Sequence, residues 1–77
     1  KTPEQYAVRK ILTAPEDFTL KADLLPLSDF LTDIPFPGTF FEKGEVLCSV
    51  IGYGCSVEEA SAVLDKNISL AVQYINQ

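Results

Sequence analysis

The sequence predicts an α+β fold, in which one long C-terminal helix packs on a small antiparallel β-sheet or half-barrel. Three observations lead to this expectation. Residues 5–14 are rich in β-branched and apolar side chains, and an apolar run over residues 46–54 follows two glycine-containing turn sequences. The last segment, residues 56–75, places its apolar side chains at helical spacing.

The first half of the chain is expected to be mostly extended. Residues 5–14 are interpreted as a strand, although charged and apolar side chains mix on both of its faces and a helix is the open alternative. Pro15 and the two acids after it break this segment, and residues 18–20 follow as a short second strand. Leucines at helical spacing, with Pro26 suited to a first helical turn, predict a short helix or a single turn over residues 27–31.

Two turns precede the most apolar strand. Pro37 presets φ for the second position of a type II turn, and Gly38 supplies the positive φ that its third position needs. Residues 40–42 form a short strand, and Gly44 marks the second turn. The run over residues 46–54 is apolar on both faces, which is typical of a central strand that is covered on both sides.

The C-terminal helix has a clear start signal. Ser56 is the expected N-cap, and Glu59 follows three residues later, as in a capping box. The apolar stripe that follows predicts a helix packed on the sheet; it consists of Ala60, Val63, Leu64, Ile68, Ala71, Val72 and Ile75. The chain is therefore interpreted as one domain, residues 1–77.

The charge balance disfavours some partners. Eleven acids and six basic residues give a net charge of −5, and nucleic acid binding needs a basic face. No apolar run is long enough for a membrane-spanning helix. Arg9 and Lys10 are the only adjacent cations, so they are the candidate contact to an anionic substrate or an acidic neighbouring domain. Solvated strand charges are the simpler explanation of this pair.

The residue types do not assemble a catalytic centre. The chain has no histidine, which removes the usual general base and the commonest metal ligand. Cys48 and Cys55 cannot close a zinc site, which takes four ligands. They are interpreted as reduced thiols of a cytoplasmic protein. Gly52 and Gly54 fit neither common phosphate-binding motif, so we expect a plain strand-to-helix turn and no catalytic, cofactor-binding or metal-binding residue.

Lys43 suggests one alternative function. Lipoyl and biotinyl carrier domains present a modified lysine at a hairpin turn, and residues 37–47 are loosely similar to half of such a domain. A free-standing carrier or protein-interaction module therefore stays open, although Lys43 is flanked by Glu42 and Gly44 and not by methionine.

Residues 33–60 resemble the C-terminal portion of ATP-grasp ligases, most closely the carboxylate–amine ligase-like members. The pattern is D-x-P-x-P-G-T, then K-G-E-x-x-C-S-V, then a glycine-bearing turn and S-x-E-E-A. The end of the chain is also similar to the C-terminal domains of glycinamide ribonucleotide synthetase and biotin carboxylase. Residues 8–18 are similar to the strand and acidic turn that open this region in the same enzymes.

The resemblance implies an accessory domain without catalytic residues. In such ligases ATP and Mg²⁺ lie between two upstream subdomains, and the E-x-N-x-R-type magnesium motif precedes the region matched here. The chain lacks that motif, begins at Lys1 and contains no methionine, so we expect an excised C-terminal domain of a larger enzyme. Its expected partners are the upstream ATP-grasp domains, and a homo-oligomer stays open. The parent enzyme would be a cytoplasmic, ATP-dependent carboxylate–amine or carboxylate–thiol ligase.

Overall fold

The structure, a computed structural model, describes residues 5–76 of the chain. It confirms the predicted α+β class, because small antiparallel sheets pack with one long C-terminal helix. The elements are β1 (Tyr6–Thr13), β2 (Phe18–Thr19), a 3₁₀ turn (Leu25–Leu27), β3 (Leu31–Thr32), β4 (Phe40–Phe41), β5 (Val46–Gly54) and α1 (Val57–Ile75).

The larger sheet has three antiparallel strands in the order β1-β5-β3, so β5 is central, as predicted. β1 and β5 pair in regular register from Tyr6 opposite Gly54 to Leu12 opposite Cys48. The next pair is Thr13 with Val46, which leaves Leu47 as an extra residue in β5. This β-bulge turns two consecutive β5 side chains toward the same side of the sheet. Strands β2 and β4 form a separate two-stranded sheet.

Both predicted turns are present, and each has its glycine at positive φ. The Thr39 N–H donates to the Phe36 carbonyl at 3.3 Å, and Gly38 between them has a φ of 94°. The Glu45 N–H donates to the Glu42 carbonyl at 3.0 Å around Gly44, whose φ is 89°. A glycine adopts this backbone conformation without the steric cost of a Cβ atom. The second turn joins β4 of the small sheet to β5 of the large sheet.

The segment predicted as a short helix or a single turn over residues 27–31 is a single turn, and it begins two residues earlier than predicted. The chain forms a single 3₁₀ turn at Leu25–Leu27 and then enters β3 at Leu31. The Asp23 carboxylate accepts a hydrogen bond from the Leu25 N–H at 3.0 Å, and Pro26 lies in the turn. Leu24, Leu27 and Leu31 are all buried. Their helical spacing therefore reflects burial on one side, which a tight turn followed by a strand also achieves.

Helix α1 covers one side of the larger sheet, and the core lies between them. Val50, Cys48 and Ala71 are fully buried there, together with leucines from the segment between β2 and β3. The expectation that β5 is covered on both sides holds for its middle and not for its ends. The four residues from Leu47 to Val50 are all buried, whereas Val46 and Tyr53 are 57% and 44% exposed.

The capping interactions of α1 agree with the sequence, with one difference. The Ser56 Oγ accepts a hydrogen bond from the Glu59 N–H at 3.1 Å, as a capping box predicts. The Glu59 carboxylate reaches the N–H of Cys55, one residue before the cap. None of the helices found between residues 5 and 76 is long and apolar enough to cross a bilayer.

Candidate interaction surface on the sheet

The side of the larger sheet that faces away from α1 is called the outer face here. A Cβ atom added to Gly52 or Gly54 would collide with backbone atoms of α1, so these two residues face the helix. Side chains alternate along a strand, and cross-strand partners share a face. With the observed register, the outer face consists of Ala7, Arg9, Ile11, Thr13, Thr32, Val46, Ser49, Ile51 and Tyr53.

The outer face exposes apolar side chains near its edges, whereas Ser49 at its centre is buried. Ile11 is 51% exposed, and Val46 and Tyr53 are exposed to a similar extent. Arg9 is the only charged residue on it. Exposed apolar surface is one sign of an interaction site. The sequence analysis did not predict this surface. Two features of the sequence pointed to it: apolar side chains occur on both faces of β1, and β5 is apolar on both of its sides.

One polar group of the outer face lacks a partner. The Thr32 hydroxyl is buried and forms no hydrogen bond to any residue in the described part of the chain. Thr32 lies opposite Ser49, which is only 4% exposed. A buried hydroxyl without a hydrogen bond costs about 1–3 kcal/mol of stability. The outer face therefore contains an unsatisfied polar group as well as exposed apolar side chains.

The candidate contact residues Arg9 and Lys10 point to opposite sides of the sheet. Arg9 lies opposite Ile51 on the outer face, and Lys10 lies opposite Val50 on the helix side. Both side chains are exposed because β1 is an edge strand. The structure thus does not bring the two cations together over one face. Each can meet a different group of a partner that lies along the edge.

Gly52 and Gly54 are packing residues of β5. A Cβ on Gly52 would lie 2.5 Å from the Ala60 carbonyl oxygen and 2.5 Å from the Leu64 nitrogen. Ala60 itself is fully buried. Both glycines belong to β5, whose bounds agree with the strand predicted over residues 46–54, and residues 55 and 56 connect it to the helix. These glycines allow the strand and helix backbones to approach closely.

Lys43 lies exposed on the turn between β4 and β5. The Asp17 carboxylate accepts a hydrogen bond from the Lys43 N–H at 2.8 Å, which fixes the turn to the segment after β1. β4 pairs with β2 and not with β5, so this turn does not close a hairpin. The geometry therefore differs from the hairpin lysine of carrier domains.

The two cysteines are free thiols in different environments. Cys48 is fully buried in the core and Cys55 is exposed. Burial raises the pKa of the Cys48 thiol, and the nearby Asp33 carboxylate raises it further. The buried thiol thus stays protonated and behaves as a small apolar side chain.

A second surface feature is a groove of about 260 Å³ at the C-terminal end of α1. Its apolar walls come from both layers of the fold: Leu12, Pro15, Leu47, Val72 and Ile75. It opens where the β-bulge turns Leu47 toward the helix. Sequence reasoning also missed this groove, because no local pattern shows where a bulge will interrupt the pairing of two strands.

The side-chain amide of Asn67 has a structural role in the sheet. The Asn67 side chain donates to the Ile51 carbonyl at 2.9 Å. The Ile51 N–H donates to Phe30, just before β3, whose two residues are too few to pair with the rest of β5. Asn67 therefore takes the place of a strand partner at this point of the sheet.

Neither a candidate metal site nor a similar protein points to a function. Within residues 5–76, no group of three or more Cys, Asp or Glu side chains is placed to hold a metal ion. No family model matches the chain, and no curated protein or solved structure is significantly similar to it. The surfaces described above are thus the features from which a function is inferred.

Proposed function

We propose that the chain is a non-catalytic C-terminal accessory domain of an ATP-grasp carboxylate–amine or carboxylate–thiol ligase, and that its outer face packs on the upstream domains. The observation that carries the proposal is the open apolar outer face, with Ile11 at 51% and Val46 at 57% exposure. A domain that packs on a larger enzyme needs such a face, because interfaces within a chain bury apolar surface from both sides.

The residues that carry the resemblance to ATP-grasp ligases support this proposal. Gly38 and Gly44 make the turns, Gly52 admits the helix, and Ser56 with Glu59 begins it. Each of these residues has a structural task in the turns or in the packing and capping of the helix. This is the pattern expected of an accessory domain, in which ATP and Mg²⁺ belong to the upstream subdomains. The two free thiols favour a cytoplasmic location.

The coding sequence upstream of Lys1 gives the first test. The proposal expects an open reading frame that continues upstream and encodes a glycine-rich loop and an E-x-N-type magnesium motif. A start codon directly before Lys1 would contradict it, and so would an upstream domain of another class.

The full-length ligase gives the second test. Ile11→Glu places a carboxylate on the outer face, and Leu25→Glu is the matched control, since Leu25 is 57% exposed and lies outside the larger sheet. We expect Ile11→Glu to lower the melting temperature of the full-length enzyme by several degrees and Leu25→Glu to leave it unchanged. In the isolated 77-residue chain both variants should melt like the wild type. Equal effects of both variants in the full-length enzyme would argue against an interface on the outer face.

A carrier module is the second candidate, favoured by the exposure of Lys43 on its turn. Intact-mass measurement of the protein from its native source separates the two functions. An unmodified mass excludes a stably lipoylated or biotinylated Lys43. A mass increase that maps to Lys43 would favour the carrier module over the accessory domain.

A further inference from the structure

We propose that the free edge of β1 is a docking site for an extended acidic segment of a partner protein, which adds a fourth strand to the larger sheet. The inference rests on the backbone geometry and the charges of β1, and it does not depend on the ATP-grasp proposal.

The direction of the backbone groups follows from the ladder. The Ile51 N–H donates to the Phe30 carbonyl at 2.8 Å, so the Ile51 backbone faces β3 and not β1. Residues of an antiparallel pair alternate between bonded and non-bonded positions, and Arg9 is the partner of Ile51. The N–H and C=O of Arg9 therefore point away from β5, toward the open edge. By the same alternation, so do those of Ala7 and Ile11.

This edge is long and open. β1 has eight residues, pairs only with β5 in the described part of the chain, and is regular from Tyr6 to Leu12. Ala7, Arg9 and Ile11 are all exposed, as expected of an edge with which no other described strand pairs. The strand contains no proline, and its only protection against strand addition is the pair of cations at its centre. Such an edge accepts a strand whose charges match.

The charges specify the partner. The whole chain carries −5, yet β1 has two cations and no acid. Arg9 flanks the edge on the outer face and Lys10 flanks it on the helix side. Because consecutive residues of a strand point to opposite faces, two consecutive acids in an added strand would meet one cation each. The fitting segment is extended, with an acidic pair between β-branched residues.

A second copy of the chain fits this edge less well. The backbone N–H and C=O groups that point to the open edge belong to residues 7, 9 and 11. In a symmetric antiparallel pair of two β1 strands, these residues must lie opposite one another. If most of β1 takes part, the two-fold axis therefore passes next to Arg9 or next to Lys10. It would then place Arg9 opposite Arg9, or Lys10 opposite Lys10, and like charges directly opposite one another destabilise a sheet. The net charge of −5 on each copy adds to this repulsion.

Amide hydrogen exchange of the free chain tests the geometry first. We expect slow exchange at Val8 and Lys10, whose N–H groups bond to β5, and fast exchange at Ala7, Arg9 and Ile11. If these three amides are protected at every protein concentration, the edge is not open and the proposal fails. If their protection grows with protein concentration, the occupant is a second copy and the acidic partner is ruled out.

A peptide of the stated chemistry tests the docking. The probe is acetyl-Thr-Thr-Val-Glu-Glu-Val-Thr-Thr-amide, which pairs antiparallel to β1 with its two Glu residues opposite Arg9 and Lys10. We expect it to slow exchange at Ala7, Arg9 and Ile11 selectively. N-methylation of its third, fifth and seventh residues, whose N–H groups face β1, should abolish the protection. N-methylation of the second, fourth and sixth residues is the matched control and should preserve it.

A neutral version of the probe tests whether binding needs its two acidic residues. Replacing the two Glu residues of the probe with Gln should weaken binding about fivefold at low salt, in line with cross-strand charge pairs worth about 0.2–1 kcal/mol each. The chain variant Arg9→Gln with Lys10→Gln should bind both peptides equally. The proposal is overturned if the Glu peptide protects none of the three amides, or if the Gln peptide binds the wild-type chain as tightly as the Glu peptide.

Discussion

The two faces of the larger sheet differ sharply although the same strands supply both. On the helix side, Val50 and Cys48 are fully buried and Gly52 touches the helix backbone. On the outer face, Tyr53 and Val46 are 44% and 57% exposed. β5 directs apolar side chains both toward the helix and toward the outer face. Composition alone therefore does not decide the burial of these side chains, which depends on the layer that helix α1 provides on one side of the sheet.

The largest expected effect compares two neighbours at the β-bulge. Leu47 is 5% exposed on the helix side, whereas Val46 is 57% exposed on the outer face. Leu47→Ala should lower the free energy of unfolding by about 3 kcal/mol, because it removes buried contacts and leaves a cavity. Val46→Ala should cost less than about 1 kcal/mol. Urea unfolding of the isolated chain measures both, and similar losses would show that the outer face is packed after all.

A smaller effect is expected where the backbones of strand and helix touch. Gly52→Ala adds a Cβ atom 2.5 Å from backbone atoms of Ala60 and Leu64, so the helix must shift. We expect a loss of about 2 kcal/mol. Tyr53→Ala changes the neighbouring residue on the outer face and should cost clearly less in the isolated chain. Thermal unfolding followed by circular dichroism compares the two, and a tolerated Gly52→Ala would refute the close packing.

The stability of the chain should depend on pH at Cys48 on the helix side and not at Val46 on the outer face. Burial raises the pKa of its thiol above the ordinary value of 9.0. The unfolded thiol therefore loses its proton first as the pH rises, so the folded chain binds more protons and stability falls above about pH 9. Cys48→Ala lacks this loss, and its stability deficit relative to the wild type should shrink between about pH 8 and pH 10. The deficit of Val46→Ala, which changes no ionisable group, is the control and should stay constant.

The smallest change in the free energy of unfolding is expected for a substitution of Thr32, and the test is whether that change is a gain or a loss of stability. Thr32→Val removes the buried hydroxyl that has no partner and keeps the shape of the side chain. We expect the isolated chain to be unchanged or stabilised by up to about 1 kcal/mol. In a complex that covers the outer face, the same variant should weaken binding if the partner supplies the missing hydrogen bond. A clear loss of stability in the isolated chain would mean that the hydroxyl is satisfied there.

Much of the fold could be predicted because its signals are local. Gly38 and Gly44 mark turns through their φ angles, and Ser56 with Glu59 marks a helix start through its own hydrogen bonds. β5 was identified as central from its apolar run. Each of these features depends on residues within a few positions of one another, so the sequence alone contains the physical cause.

The errors have non-local causes. Leu27 and Leu31 share a buried side in a turn and a strand as they would in a helix, so spacing alone could not separate the two. The exposure of the ends of β5 on the outer face depends on how many layers the whole chain provides. The opposite directions of Arg9 and Lys10 followed from the predicted strand, but the open edge beside them depends on the strand order. That order is set by the complete fold.

The contacts of α1 with β5 have a consequence for the groove at the other end of the helix. At Gly52 no side chain separates the two backbones, whereas at Leu47, about 16 Å along the strand, full-sized side chains and the bulge hold them apart. Helix α1 therefore meets the strand backbone at Gly52 and stands further from it at the groove. We expect a methyl group added at Gly52 to displace the helix and so to change the width of the groove, although Gly52 is not one of the residues that line it.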